Sequence, residues 1–295
     1  MFRYAFLLFW CAAVSAGESS VLQAFDGRTG ERLTIDRLLS RVAEADIVLF
    51  AEKHSDAAGH ALQNELLLEI FKNNDSVVLS LEEFDRSQQA VLDAWVAHEL
   101  SDAGLEAERD FLNLTVKKNW PEWYLPKLQS ARDNNAALVA SNAPLKYSRM
   151  VRNYGCDDLP ELSDAERALF DCPAVVFDPV YFGRFKQTMS RVAGKDKSIK
   201  SLDDDRLKQL FRAHRVWDAT MAQSVADALS RARSGKPKVV HIVGDFHVDF
   251  DGGLLQELRH RAPDKQVLSI SFYPRRSPAL VKPDIGRADV VVYTR

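Results

Sequence analysis

The sequence predicts an α/β protein with a mostly parallel sheet, helices on both faces and a helical cap insertion. Short apolar runs rich in Val, Ile and Leu recur without strict alternation, as expected for strands that are covered on both faces. Segments with helical spacing separate these runs, and this alternation indicates a parallel sheet. From residue 143 to about residue 200 the strands stop, and a helical stretch with Pro, Asp and aromatic residues predicts the cap.

The elements follow one another in a regular order. The turn at Asp26–Gly30 predicts a small β-ribbon, and Thr34 begins the first helix. Five strands are expected at residues 46–51, 76–81, 136–140, 238–243 and 266–271. Helices are expected at residues 58–72 and 88–99, and a long helix at 204–233 begins near the acidic run Asp203–Asp205.

The first sixteen residues have the pattern of a secretory signal peptide. Arg3 precedes a ten-residue apolar run at residues 5–14, which is too short to span a bilayer. The small residues 14–16 then form a cleavage site before Gly17. We therefore expect a mature domain of residues 17–295, either periplasmic or secreted.

A lipoprotein cleaved before Cys11 is the alternative, and only then would the protein be tethered to a membrane. That processing site requires small residues before the cysteine, whereas Phe9 and Trp10 stand there. Cleavage after residue 16 would remove Cys11 and leave Cys156 and Cys172 as an even pair in an oxidising compartment. We expect these two to form a disulfide within the cap, with two separate buried thiols as the alternative.

The amino-acid composition limits the classes of partner that the protein is expected to bind. The 295 residues are 46% hydrophobic and 27% charged, which is typical of a water-soluble globular protein of one or two domains. The net charge of -3 provides no basic surplus for a phosphate backbone, so we expect no nucleic-acid partner. The expected partner is a small molecule, and a homodimer stays open.

Polar side chains stand at the carboxyl ends of four predicted strands. These segments are Glu52-Lys53-His54, Glu82-Glu83, Ser141-Asn142 and Gly244-Asp245-Phe246-His247. Ligands of open parallel sheets bind beyond this edge. We therefore predict that Glu52, His54, Glu82 and His247 form one site. Carboxylates and imidazoles are suitable ligands for Zn²⁺ or Mn²⁺, so we expect the site to bind such a metal ion, or one Glu to act as base on a metal-bound water. The alternative is that each is only a polar residue at a strand end.

Four further residues have competing interpretations. Asp218 either orients a ligand from behind the site or forms a solvated pair with His214, one helical turn earlier. We expect His60 at the surface, with a ligand role as the alternative. His241 lies within an apolar strand and is expected to be a core histidine with its hydrogen bonds satisfied.

Several motifs resemble those of one family. They are Ala51-Glu52-Lys53-His54, Glu82-Glu83-Phe84-Asp85 followed by Gln88 or Gln89, the segment with Trp120, Trp123, Tyr124 and Ala131-Arg132, Ala140-Ser141-Asn142, Asp218-Ala219-Thr220-Met221-Ala222, and Gly244-Asp245-Phe246-His247. Together they resemble the ChaN-like proteins of the Tiki / haem-binding uptake superfamily, to which erythromycin esterases are more distantly similar. The chain departs from the family at Ala51, where the family has Gly. The extra methyl group could crowd the backbone at this strand end or block a positive φ.

The resemblance implies two different functions. ChaN-like members bind haem in iron uptake through a tyrosine ligand, so Tyr147 and Tyr154 in the cap, together with Asn142, are the candidate haem-binding residues. Tyr124 and Tyr181 are also available, and packing is the competing role for all of them. The leading hypothesis is an exported protein that binds haem or iron. The alternative is a metal-dependent hydrolase, similar to Tiki proteases or to the esterases, that uses Glu52, His54, Glu82 and His247 as catalytic residues.

Overall fold

The computed structural model describes residues 23–108, 114–175, 177–193, 203–231 and 237–295. The predicted signal peptide, its cleavage site and Cys11 lie outside these residues and stay predictions. Within the described segments, no helix combines the length and the apolar composition needed to cross a bilayer.

One eight-stranded sheet forms the centre of the protein, with strand order β2-β1-β8-β7-β3-β6-β4-β5. The strands are β1 (Gln23–Asp26), β2 (Arg32–Leu33), β3 (Ile47–Glu52), β4 (Val77–Asp85), β5 (Ala137–Asn142), β6 (Lys238–Gly244), β7 (Val267–Tyr273) and β8 (Val290–Tyr293). β1 pairs antiparallel with both β2 and β8, and the other pairs are parallel. The predicted mostly parallel sheet is confirmed, and β8 is a strand that the sequence did not predict.

The helices lie on both faces of this sheet. They are α1 (Ile35–Glu44), α2 (Ala57–Asn73), α3 (Gln89–Val96), α4 (Asp102–Ala107), α5 (Leu114–Asn119), α6 (Leu125–Asp133), α7 (Leu145–Tyr154), α8 (Asp164–Arg167), α9 (Pro179–Ala193), α10 (Asp204–Arg231) and α11 (Gly253–Arg261). A π-helical turn, Trp120–Tyr124, joins α5 to α6, and 3₁₀ turns cover Arg86–Gln88, Asp245–His247 and Lys282–Asp284.

Strand β3 shows how the two cores are divided. Val48 and Phe50 pack into a cluster with α1, α2, α3 and α6, whereas Ile47, Leu49 and Ala51 pack against α10 and α11. Alternate side chains of one strand thus enter opposite cores, because side-chain direction in a strand has a period of two. This explains the continuous apolar run that predicted the strand.

Local hydrogen bonds define the first elements as expected. Asp26 Oδ1 accepts the backbone N–H groups of Arg28 and Thr29, and Gly30 closes the turn with φ of 76°. Thr34 caps α1 by accepting the N–H of Arg37.

The region predicted as the cap contains α7, α8 and α9. Cys156 and Cys172 are joined by a disulfide, as predicted. The bond closes a loop of 15 intervening residues, which the chain-entropy model values at about 3 kcal/mol. Tyr147 stacks on Phe170 inside this region.

Candidate functional site

The register of the parallel strands brings the predicted site residues to one edge of the sheet. Glu52, the last residue of β3, lies opposite Gly244 of β6, and Leu81 of β4 lies opposite Ile242. β4 continues through Glu82 and Glu83 to Asp85, with a register shift in its pairing to β5. The two glutamates therefore lie within the irregular end of a strand, and not beyond it. We call this edge the rim.

Glu52 is the centre of the first group of polar residues at the rim. Its Oε1 accepts the hydroxyl proton of Tyr124 at 2.6 Å and lies 3.1 Å from His54 Nδ1. Glu83 Oε1 lies 3.7 Å from the same His54 nitrogen. Burial alone would raise the pKa of Glu52, but His60, His54 and Lys127 outweigh it and lower the pKa to about 2. Glu52 is therefore a carboxylate at neutral pH.

His54 is the more exposed member of this group. Burial would lower the pKa of its imidazole, whereas Glu52, Glu82 and Glu83 raise it to about 10. A cationic His54 thus balances part of the negative charge of three carboxylates. A metal ion bound by His54 would have to displace this proton.

A second layer of polar residues lies behind Glu52. His60 is only 2% exposed, so the expected surface placement is wrong. Its Nδ1 accepts a hydrogen bond from Lys127 Nζ at 2.9 Å and lies 3.4 Å from Glu52 Oε2. Lys127 is fully buried and also donates to the Trp123 carbonyl. Burial lowers the pKa of His60 to about 4 and that of Lys127 to about 8.

His247 is the centre of the second group. Its Nδ1 lies 2.6 Å from Asp218 Oδ1, and its Nε2 lies 3.4 Å from Glu82 Oε1. Burial would lower the pKa of His247, but Asp218 and Glu82 raise it to about 10. The N–H of Gly244 donates to Glu82 Oε2. Asp218 therefore contacts His247 directly, as the predicted orienting role requires.

Two residues that the sequence did not connect with the site complete this group. The Tyr181 hydroxyl donates to Asp218 Oδ2 at 3.1 Å and lies 2.9 Å from His214 Nε2. Tyr181 comes from α9 and His214 from α10, so the pair joins the cap region to the rim. The spacing of His214 and Asp218 is visible in the sequence, whereas the sequence offers Tyr181 only as one of four tyrosines available for haem and does not connect it with Asp218.

Small residues set the spacing between the two groups. A Cβ atom at Gly244 would lie 2.9 Å from His54 Nε2 and 3.4 Å from Glu82 Oε2. Glycine at this position therefore lets both side chains approach the end of β6. Ala51 is fully buried in extended β3, opposite Val243 and Ser271, so its methyl group fits where the family has glycine.

The four predicted ligands share one rim, but the atoms close enough to hold one ion divide differently. Among the described residues, Glu52, His54 and Glu83 form one such group, and His214, Asp218 and His247 form another, with ligand atoms within 4.8 Å of one another in each. The four-residue metal site stays a prediction.

The other residues that the sequence analysis considered for the site lie in different parts of the fold. Asn142 donates to the Glu82 carbonyl and accepts the N–H of Ala143, so its amide is used locally. Tyr154 ends α7 and is 57% exposed. His241 is a buried core histidine, as expected, and its Nδ1 lies 2.9 Å from Ser80 Oγ. Its Nε2 has no hydrogen-bond partner among the described residues, so the expectation that its hydrogen bonds are satisfied is wrong for this nitrogen.

A cavity of about 710 Å³ lies beside the rim. Its walls come from Lys53, α9, the 245–250 segment, the end of β7 and the segment before β8. Lys53, Arg184, Arg191, Arg275 and Arg287 supply five cations, and Asp245, Asp249 and Asp284 supply three acids. Phe246, Phe250, Tyr273 and Pro283 complete the walls. Tyr273 is a residue that the sequence did not indicate, and the Arg287 guanidinium lies 3.8 Å from its ring centroid.

The fold and site together define an α/β protein with a polar rim at the carboxyl ends of parallel strands and a basic cavity next to it. The chain belongs to the family described as haem-binding uptake, Tiki superfamily, ChaN, whose model matches residues 38–258. The predicted family membership is confirmed.

Three known proteins illustrate the range of similarity. ChaN of Campylobacter jejuni, whose structure shows cofacial haem binding, has a TM-score of 0.61 at 15% identity, covering 94% of this chain and 98% of that chain. An erythromycin esterase has a TM-score of 0.46 at 15% identity, covering 92% of this chain and 83% of that chain. The chloroplastic protein RETICULATA-RELATED 5 of Arabidopsis thaliana is 26% identical over 201 residues, which are 67% of this chain and 26% of that protein's length.

Proposed function

We propose that the protein binds haem in the cavity beside the rim and acts in haem or iron uptake. The observation that carries this proposal is the cavity lining, which combines aromatic walls, a tyrosine and an excess of two positive charges. Its volume of about 710 Å³ is within the range of cofactor sites. The ChaN structure from Campylobacter jejuni, which has the same fold, shows cofacial haem binding and supports this choice of ligand.

The donor set fits haem. A phenol oxygen is a known axial ligand of haem iron, and Tyr273 is the tyrosine of this cavity. The two propionates require cations, and the five cations of the lining outnumber its three acids, although Arg275 and Arg287 already pair with Asp284 and Asp249. Phe246 and Phe250 provide apolar surface for the porphyrin face. Bound haem would supply a ferric iron held by one phenol oxygen.

The two tyrosines predicted from the sequence are less suited to this role. Tyr147 is 2% exposed and packed on Phe170, so it contributes to the cap core. Tyr154 is exposed at the end of α7, and it does not line the cavity. We therefore assign the ligand role to Tyr273.

Titration with haemin tests this assignment. Wild-type protein should give a stoichiometric Soret band with the visible absorption of phenol-ligated ferric haem. Tyr273→Phe should lose that visible signature and bind haemin at least about tenfold more weakly, because an axial ligand is removed. Tyr154→Phe is the matched control and should bind like wild type. If Tyr154→Phe alone loses the visible signature and binds haemin more weakly, the haem ligand is Tyr154 in the cap and not Tyr273.

A metal-dependent hydrolase is the second candidate function. The observation that favours it is the proximity of Glu52, His54 and Glu83 at the rim. These residues would hold the metal, and the base would be Glu82, a neighbouring carboxylate whose charge acts on His54. Elemental analysis of the same preparation separates the candidates, because bound Zn or Mn without a haem spectrum would favour the hydrolase.

We also propose that the protein is exported. The signal-peptide pattern and the Cys156–Cys172 disulfide both support an oxidising compartment. Material recovered from the periplasm or the medium should begin at Gly17 when its N-terminus is sequenced. A lipid-modified N-terminus at Cys11 would replace this proposal with the lipoprotein alternative.

A further inference from the structure

We infer that Arg184 and Arg191 recognise the two carboxylate groups of a porphyrin, and that the protein therefore also binds porphyrins that contain no iron. The inference rests on the proposed function, because it takes the cavity beside the rim as the haem site. It goes further in assigning recognition to the carboxylates of the ligand, which iron-free porphyrins share with haem. Iron and its tyrosine ligand then add affinity, but binding does not require them.

The ion pairs of the cavity leave two positive charges without a partner. Each acid of the cavity lining pairs with a cation of the same lining. The pairs are Lys53–Asp245, Arg287–Asp249, Arg287–Asp284 and Arg275–Asp284. The remaining cations are Arg184 and Arg191, and neither forms an ion pair with any residue that the structure describes. The excess of two positive charges therefore belongs to these two arginines.

Both arginines lie on the face of α9 that borders the cavity. Arg184, Gln187, Thr188 and Arg191 all line it, and spacings of three, four and seven residues place side chains on one face of a helix. Phe185, on a different side of α9, is buried in an aromatic cluster that fixes the rotation of the helix. Seven residues correspond to a rise of about 10.5 Å, so the two long side chains can approach two carboxylates on one edge of a porphyrin.

A strained turn holds Arg184 in place. The guanidinium group donates to the backbone carbonyls of Asp249 and Phe250, the second at 3.3 Å. Phe250 and Asp251 have φ of 53° and 62°, in the left-handed region that bulky residues rarely adopt. Such strained backbone is found mainly at ligand-binding and active sites, where the surrounding structure maintains it. The turn therefore indicates a binding role for the arginine that it holds.

The surroundings of Arg184 combine aromatic surface with an uncompensated charge. Its guanidinium carbon lies 5.3 Å from the ring centroid of Phe246 and 5.1 Å from that of Phe250. Burial lowers the pKa of Arg184, because water solvates its charge only in part. A ligand carboxylate would give this cation a charged hydrogen-bond partner. The cavity thus fits a ligand that joins a flat apolar ring system to acid groups, with or without a metal.

Titration with iron-free protoporphyrin tests the inference, with the quenching of tryptophan fluorescence as the readout. Wild-type protein should bind this probe with a dissociation constant no more than about a hundredfold above that for haemin, because only the axial ligand is lost. Arg184→Gln and Arg191→Gln should each bind both porphyrins at least about tenfold more weakly, since each variant lacks a charged hydrogen bond to a carboxylate.

Esterified ligand and a matched variant serve as controls. The dimethyl ester of the same porphyrin should bind wild type more weakly than the free acid, and this difference should shrink in Arg191→Gln. Lys186→Gln removes one positive charge from the same helix outside the cavity lining and should bind both porphyrins like wild type. Thermal unfolding identifies any variant that fails to fold. Arg191 is exposed, so Arg191→Gln decides the test if Arg184→Gln is unstable.

The outcomes separate this inference from the proposed function. A wild type that binds haemin but no iron-free porphyrin would overturn the inference alone, because recognition would then depend on iron. Unchanged binding of both porphyrins by Arg184→Gln and Arg191→Gln would overturn it in the same way. A wild type that binds neither porphyrin would contradict the proposed function, and the inference with it.

Discussion

Replacement of Asp218 by alanine should lower the free energy of unfolding by about 3–5 kcal/mol, because it leaves a buried charge without its main partner. Asp218 is fully buried, and its two oxygens contact His247 Nδ1 and the Tyr181 hydroxyl. His247 is cationic in the folded protein and would keep only the longer contact to Glu82. The tyrosine hydroxyl would lose a partner as well.

Urea denaturation at neutral pH measures this loss. Asp205→Ala on the same helix is the control, because the Asp205 side chain is 88% exposed and its removal should change stability by less than about 0.5 kcal/mol. Asp218→Asn retains the side-chain volume and removes only the charge. Its loss in free energy of unfolding should therefore lie between the losses of Asp218→Ala and Asp205→Ala. Equal stability of Asp218→Ala and Asp205→Ala would show that the His247 pair contributes no net stability.

The sheet could be predicted because most of its strands are covered on both faces. Such strands appear as continuous apolar runs, and β3, β6 and β7 were located within one or two residues of their observed ends. β8 was not predicted, because its four residues follow a loop and no helix pattern precedes them. Its identity as a strand depends on pairing with β1 and β7, which are more than 15 residues away in the sequence.

The rim could be predicted for the same physical reason. Parallel strands bring their carboxyl ends to one edge, so the polar residues that end β3, β4 and β6 had to lie near one another. The partners of these residues come from helices whose placement is a tertiary property. Lys127 on α6 and Tyr181 on α9 carry no local signal, and their packing depends on which face of the sheet each helix covers.

His60 shows why exposure was misjudged. Its position on the amphipathic α2 helix was compatible with the surface, yet the ring stacks on Trp123 with centroids 4.8 Å apart. The π-helical turn that carries Trp123 covers this part of α2. Packing against this segment, which is distant in the sequence, therefore buries His60 and places it next to Glu52.

The histidines at the rim should also give the protein a stability maximum near pH 6.5. The pKa values of His54 and His247 are raised to about 10 in the folded protein, against about 6.5 in the unfolded chain. Their contribution is complete below pH 6.5 and is lost as the pH rises towards 10. Each can reduce the free energy of unfolding by up to about 1.4 kcal/mol per pH unit in that range.

Three other histidines lower the free energy of unfolding as the pH falls below 6.5. Burial lowers the pKa of His60 and His241 to about 4 and that of His214 to about 3, so their contribution is present above pH 6.5 and lost as the pH falls. Between pH 4.5 and 6.5 the lowered pKa values of Glu52 and Glu82 keep both carboxylates ionised. Burial raises the pKa of Asp249 to about 7, so this single carboxyl offsets part of the effect of the three histidines, and stability still rises with pH in this range.

Urea unfolding measured from pH 4.5 to 10 separates the two effects. His247→Gln should flatten the alkaline side of the stability curve, because a neutral amide cannot lose a proton there. His241→Gln should flatten the acidic side and leave the alkaline side unchanged, since His241 lies in the core and pairs with Ser80. A wild-type curve that rises steadily from pH 6.5 to 10 would contradict the assignment of His54 and His247 as cations, and with it the charge balance that holds the rim carboxylates together.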